Sequence, residues 1–198
     1  KLDLVVPPGE RVGIVGPNGT GKTTLLKTLL GDLPHDSGTV TFAPTAKVMY
    51  FDQNRAGIDD AATVLDNVRQ GSDKVLIGDQ WITVFSYLER FLFDAHKQRQ
   101  AAGTLSGGER ARLALAKMLR GGANLVLLDE PTNDLDLPTL ATLEDMLTTF
   151  GGGAIVVTHD RYFLDRVATS ILAFEGDGKV TRYAGGFADY EVQRDLMA

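Results

Sequence analysis

The sequence contains no cysteine among its 198 residues. That excludes a disulfide framework and any metal site built on thiolates, and it agrees with a reducing compartment, so a cytoplasmic location is expected. No apolar run approaches the length of a membrane span, and no stretch is patterned like a secretion signal. The chain is therefore expected to be soluble, with no direct membrane insertion and membrane contact only through a partner. Positive charge is in the minority: 20 Lys and Arg against 26 Asp and Glu give a net charge of −6. This argues against a general nucleic-acid binder and leaves room only for a local basic patch. Internal repeats and low-complexity segments are also missing. At 43% hydrophobic, a chain of this length can bury a full core, which predicts a single domain over 1–198 with room for a helical subdomain.

Glycine is plentiful, and its placement is the most informative feature of the sequence. Gly16-Pro17-Asn18-Gly19-Thr20-Gly21-Lys22-Thr23 fits G-x-x-x-x-G-K-[ST] at every fixed position. Arg11 to Val15 ahead of it reads as a buried strand, and Thr24 to Leu30 behind it as a helix ended by Gly31. Glycines in that setting let backbone N–H groups turn inward around β- and γ-phosphates, while the helix N-terminus adds partial positive charge. Lys22 supplies a full charge, and the Thr23 hydroxyl is suited to the Mg²⁺ that bridges the phosphates.

Read in order, Lys1 to Val6 alternates like a strand, Thr39 to Phe42 predicts a short one, and Lys47 to Phe51 another that leads to Gln53. From Thr63 the period becomes helical: Val64, Leu65 and Val68 mark one helix, and Val84, Tyr87, Leu88, Phe91 and Leu92 a stronger one whose aromatics belong to its core. Leu105-Ser106-Gly107-Gly108-Glu109 opens a helix that runs to Leu119. Ser106 and Glu109 form a capping box there, and the two adjacent glycines suggest that an anion approaches the backbone closely.

Leu125 to Leu128 is a continuous apolar run, as in a parallel strand covered on both faces, and it delivers Asp129 and Glu130 at its carboxyl end. Ligands of open α/β sheets bind beyond those ends. Asp129 suits Mg²⁺ coordination and Glu130 the polarisation of an attacking water. Ala154 to Val157 is a second buried strand that brings His159 to the same edge, where an imidazole can sense the γ-phosphate. Pro138 opens a helix that is closed by Gly151-Gly152-Gly153. A helix from Arg161, a hairpin of 171–174 with 180–183, and a helix over 189–197 complete the chain.

Together these stretches resemble the ATP-binding-cassette (ABC) nucleotide domain. Gly16 to Thr23 looks like its Walker A, Gln53 its Q-loop glutamine, Leu105 to Glu109 its signature loop, Leu125 to Glu130 its Walker B, Asn133 to Asp136 its D-loop and His159 its H-loop. The phrases Leu128 to Asp136 and Thr158 to Asp165 are similar to the ABC-F proteins, which carry two cassettes and no transmembrane domain. Tyr50 to Gln53 and Ser86 to Phe93 are most similar to the second cassette of the Uup-type branch. On this reading the chain begins inside a domain.

The resemblance implies an α/β fold, a P-loop NTPase core with a mainly parallel sheet, antiparallel β elements and a helical signature subdomain inserted at about 54–120. It implies Mg²⁺-dependent ATP hydrolysis with Glu130 and His159 catalytic. ATP would be bound by Gly16, Pro17, Asn18, Gly19, Thr20, Gly21, Lys22, Thr23, Thr24, Gln53, Ser106, Gly107 and Gly108, and Mg²⁺ by Thr23, Gln53 and Asp129. The implied partner is a second cassette, on the same polypeptide or in a homodimer. Ribosomal RNA or branched DNA would be reached through regions outside this chain. The expected output is an ATP-driven conformational switch on ribosomes or nucleic acid. The ATPase subunit of a membrane transporter is the alternative, and a small-molecule kinase is disfavoured by the signature loop.

Overall fold

The computed structural model describes residues 2–51, 57–77, 80–133 and 135–197. In chain order the elements begin with β1 (Arg11–Val15), α1 (Lys22–Leu29), β2 (Val48–Phe51) and α2 (Val64–Arg69). They continue with β3 (Lys74–Ile77), β4 (Gln80–Thr83), α3 (Val84–Glu89), α4 (Gly107–Arg120), β5 (Leu125–Asp129) and α5 (Leu137–Thr149). The last are β6 (Gly153–Val157), α6 (Arg161–Val167), β7 (Ser170–Gly176), β8 (Lys179–Ala184) and α7 (Phe187–Met197). The chain divides into two compact units: Lys1–Tyr50 with Asn124–Thr132 and Leu147–Ala198, and Phe51–Ala123 with Asn133–Met146.

The first unit is built on a six-stranded sheet in the order β2-β5-β6-β1-β7-β8. β5, β6, β1 and β7 run parallel, and β8 returns antiparallel to β7. The continuous apolar runs have a simple cause, since both sheet faces are covered. On one face Val12, Ile14, Leu127, Ile155, Val157, Leu172 and Phe174 pack with Leu26 of α1. On the other, Ile171 and Ala173 alternate with the first set and pack with Leu164 of α6, Tyr183 and Tyr190 of α7. Each of the larger side chains contributes on the order of 1.5–3 kcal/mol by leaving water. The β7–β8 hairpin turns at Asp177 and Gly178, φ 49° and 75°, the positive pair that a type I′ turn requires.

Two expected strands are not part of this sheet. Residues 2–6 and 39–42 carry no strand, and Leu2, Val5, Val40 and Phe42 are exposed. Alternation supplies a face, but a strand forms only where a neighbouring backbone takes up its N–H and C=O groups. Gly153, expected to end α5, is instead the first residue of β6.

The second unit is mainly helical. Buried Val64 and Val68 of α2, Tyr87 and Leu88 of α3, Phe91 and Leu113 of α4 form its interior. The Tyr87 and Phe91 rings lie 4.9 Å apart, and the Tyr87 hydroxyl donates to the Ala116 carbonyl at 2.9 Å. α3 is shorter than its apolar pattern implies. Phe93 N–H bonds back to Leu88 O, and Leu92 takes a left-handed φ of 61° with its side chain exposed, which is how a helix closes at its C-terminus. The β3–β4 hairpin, pairing Leu76 with Trp81, was not anticipated, although two short apolar runs flanking Gly78-Asp79 are a hairpin signal.

Candidate functional site

Strand register assembles the site. Asp129 of β5 lies opposite Val157 of β6, and Val157 lies opposite Ile14 of β1. The next residues on these three parallel neighbours are Glu130, Thr158-His159 and Val15-Gly16. They therefore emerge together at the carboxyl edge of the sheet, where α/β folds hold ligands.

Three glycines of the loop after β1 take the positive φ that glycine adopts without steric cost. Gly16, Gly19 and Gly21 have φ of 147°, 80° and 100°. Gly16 has no alternative, because a Cβ there would sit 2.5 Å from the Phe174 carbonyl oxygen. Lys22 is buried, and its ammonium donates to the carbonyls of Gly16 at 2.8 Å and Pro17 at 2.9 Å, so the side chain spans the inside of its own loop. The Thr20 hydroxyl also bonds Pro17 O, at 2.8 Å. No side chain caps the start of α1, which leaves its first amides and its positive dipole end for an anion. Pro17, Asn18 and Gly19 in the loop and Thr23 and Thr24 in the first turn are exposed.

Asp129 is half-buried, with its carboxylate 3.5 Å from the Tyr50 hydroxyl of β2. Glu130 follows with a left-handed φ of 47°, and its N–H is tied to Val157 O at 2.7 Å. Such a backbone state in a non-glycine residue costs about 1–2 kcal/mol, and it turns the Glu130 side chain away from the strand direction. His159 Nε2 lies 3.2 Å from Asn18 Oδ1 and 3.4 Å from Glu130 Oε1. A carboxylate only accepts, so Nε2 carries the hydrogen in this arrangement. Phosphate loop, acid and imidazole thus meet at one point. Thr158, buried, bonds Thr132 at 2.7 Å, and Asp160 caps α6, which fixes the backbone on both sides of His159. Thr23 and Asp129 offer hard oxygen donors that fit Mg²⁺, an ion that takes most of its ligands from phosphate and water. Gln53 lies outside the described residues, as does Asp134 of the D-loop phrase.

Ser106, Gly107 and Gly108 belong to the other unit. The capping box is complete: Glu109 N–H donates to Ser106 Oγ at 3.3 Å, and Ser106 N–H to Glu109 Oε2 at 2.9 Å. Lys97, 2.8 Å away, and then the Ser106 N–H hold the Glu109 carboxyl down at about 2. Ser106 and Gly107 are exposed, and a Cβ on Gly107 would meet nothing within 4 Å. Gly108 differs, since what approaches its backbone closely is the carboxylate of Asp136 from the same chain. Sequence reading missed that approach and the Tyr50 contact because both join residues distant in the chain. Only the placement of Tyr50 at the end of an apolar run hinted at either.

A parallel sheet with a phosphate loop after its central strand and an acid-tipped neighbour defines a P-loop nucleotide hydrolase. Two solved structures are similar in fold: a putative metal-chelate type ABC transporter in an inward-facing conformation, with TM-score 0.70, 23% identity, and coverage of 96% of this chain and 77% of that one, and the ATP-binding subunit of an ABC transporter, with TM-score 0.71, 21% identity, and coverage of 98% and 85%. The family profile described as ABC transporter matches residues 1–133. The energy-dependent translational throttle protein EttA of Haemophilus influenzae is 49% identical over 96% of this chain and 34% of its own length. EttA of Mycobacterium tuberculosis is 48% identical over 96% and 35%, and the ATP-binding protein Uup of Escherichia coli is 44% identical over 94% and 29%. The chain belongs to the ABC family and is an ATPase domain. It spans about a third of the length of these curated relatives. Among the described residues no helix is long and apolar enough to cross a membrane.

Proposed function

We propose that this chain is the ATP-binding and ATP-hydrolysing cassette of a cytoplasmic ABC-F protein that uses cassette closure as a conformational switch on ribosomes or nucleic acid. It is one cassette over 1–198, with a helical signature subdomain at about 54–120. The meeting of Glu130, His159 and Asn18 beside the phosphate loop carries the reading. ATP lies with its β- and γ-phosphates in the loop of Gly16 to Thr23, where Lys22 exchanges its two carbonyl bonds for phosphate oxygens. Mg²⁺ would be held by Thr23 and Asp129, with Gln53 assigned by the family resemblance, and would supply neutralisation of phosphate charge. Glu130 takes a proton from the water that attacks the γ-phosphorus. The P–O bond to ADP breaks as the new one forms, and His159 donates its Nε2 hydrogen to a γ-oxygen.

The exposed start of α4 completes a site on another cassette. Ser106 and the Gly107 and Gly108 amides face a γ-phosphate held by the partner's phosphate loop, so two cassettes share two sites. The similarity to the translational throttle protein EttA supports a switch acting in translation. Glu130→Gln tests the chemistry: ATP affinity is retained while turnover falls by roughly a hundredfold or more, the scale of a lost general base. Equal loss of binding and turnover would make Glu130 a binding or scaffold residue.

A further inference from the structure

Gly108 lies in the first turn of α4 with an ordinary helical backbone, so conformation does not require glycine there. Space does. A Cβ at 108 would stand 2.8 Å from Asp136 Oδ2 and 3.0 Å from its Cγ. That carboxylate is not a loose side-chain end, because Thr139 N–H donates to Asp136 Oδ1 at 2.9 Å, and the buried Thr139 hydroxyl reaches the Gly108 carbonyl at 3.4 Å. One turn further along α4, the Arg112 guanidinium sits over the Phe93 ring, 5.7 Å from its centroid. Arg112 is only 9% exposed, its Nε has no partner, and its charge acts on Asp136. A buried cation needs a compensating anion, and its charge adds to the two Thr139 hydrogen bonds that hold the Asp136 carboxyl below the usual carboxylate range.

We propose that Asp136 is a positioning residue for hydrolysis: its carboxylate, pressed against Gly108 and held by Thr139, fixes the Ser106–Gly108 turn in the orientation that meets a phosphate. This rests on the reading of Ser106–Gly108 as a phosphate contact. Gly108 is glycine to admit the carboxylate, and Asp136 serves the reaction without touching ATP. Asp136 also caps the first turn of α5 through Thr139, so the starts of α4 and α5 move as one piece.

The test uses the full-length protein. Asp136→Ala leaves MgATP affinity unchanged, lowers turnover on the order of ten- to a hundredfold, the scale for misplaced groups, and speeds amide exchange at residues 107–110 without nucleotide. Asp136→Asn keeps the Thr139 cap and restores slow exchange. Gly108→Ala lowers the thermal midpoint beside Asp136 but raises it in the Asp136→Ala background, where the space is free and alanine favours helix. Unchanged exchange in Asp136→Ala, or a Gly108→Ala effect of the same sign in both backgrounds, would overturn the proposal. Ser106→Arg is measured in parallel. Full turnover there would sink the phosphate-contact reading, while the exchange and midpoint results would still report on the Asp136–Gly108 contact.

Discussion

Replacing Lys22 by alanine separates two jobs that the structure gives one side chain. Without nucleotide, its ammonium bonds Gly16 O at 2.8 Å and Pro17 O at 2.9 Å from a site only 7% exposed. Hydrogen bonds from a charged group are worth about 1.5–3 kcal/mol each when buried. Pro17 is exposed, so one freed carbonyl turns to water, and the net loss is about 1–3 kcal/mol. For a chain of this size each kcal/mol moves the melting midpoint by roughly 2–4 °C, so the nucleotide-free variant melts roughly 2–12 °C lower. ATP then widens the gap: the parent gains about 2.7 kcal/mol at a hundredfold excess over Kd, and the variant, with no charge for the phosphates, gains little. Thermal melts followed by circular dichroism, with and without MgATP, give both numbers. An unchanged midpoint without nucleotide would refute the internal clamp, and a normal ATP-induced rise would refute the phosphate role.

His159→Ala slows hydrolysis with little loss of ADP affinity, since Nε2 faces Asn18 and Glu130 rather than the base of the loop; single-turnover kinetics with ADP titration check this, and matched loss of ADP and ATP binding would move His159 to the scaffold. The capping box gives a pH dependence. With its carboxyl depressed from 4.5 to about 2, Glu109 contributes stability above its ordinary range and loses it as pH falls toward 2. Acid unfolding of the parent should therefore be steeper below pH 4.5 than that of Glu109→Gln; parallel acid titrations would contradict it.

The site was legible where local pattern and tertiary structure agree. The β1 and β5 runs are apolar because both faces are covered, and a parallel sheet then carries Gly16, Glu130 and His159 to one edge by register alone. The signature turn was legible through its capping box. Other features depend on contacts that spacing does not encode. The left-handed φ of Glu130, the Asn18 contact of His159 and the carboxylate of Asp136 against Gly108 arise from neighbours far along the chain. The strand patterns at 2–6 and 39–42 failed because alternation does not name a partner. The pattern of α3 overran because the left-handed Leu92 closes it.

A site shared between cassettes is tested most directly by mixing two inactive chains. Lys22→Ala is expected to lose ATP and Ser106→Arg to block the signature turn, but paired they should contain one intact site, with the Ser106→Arg chain holding nucleotide and the Lys22→Ala chain supplying Ser106 and its glycine amides. Steady-state ATPase activity should appear in the mixture and rise with protein concentration. No rescue on mixing, together with full activity of the parent as a dilute monomer regardless of concentration, would contradict it.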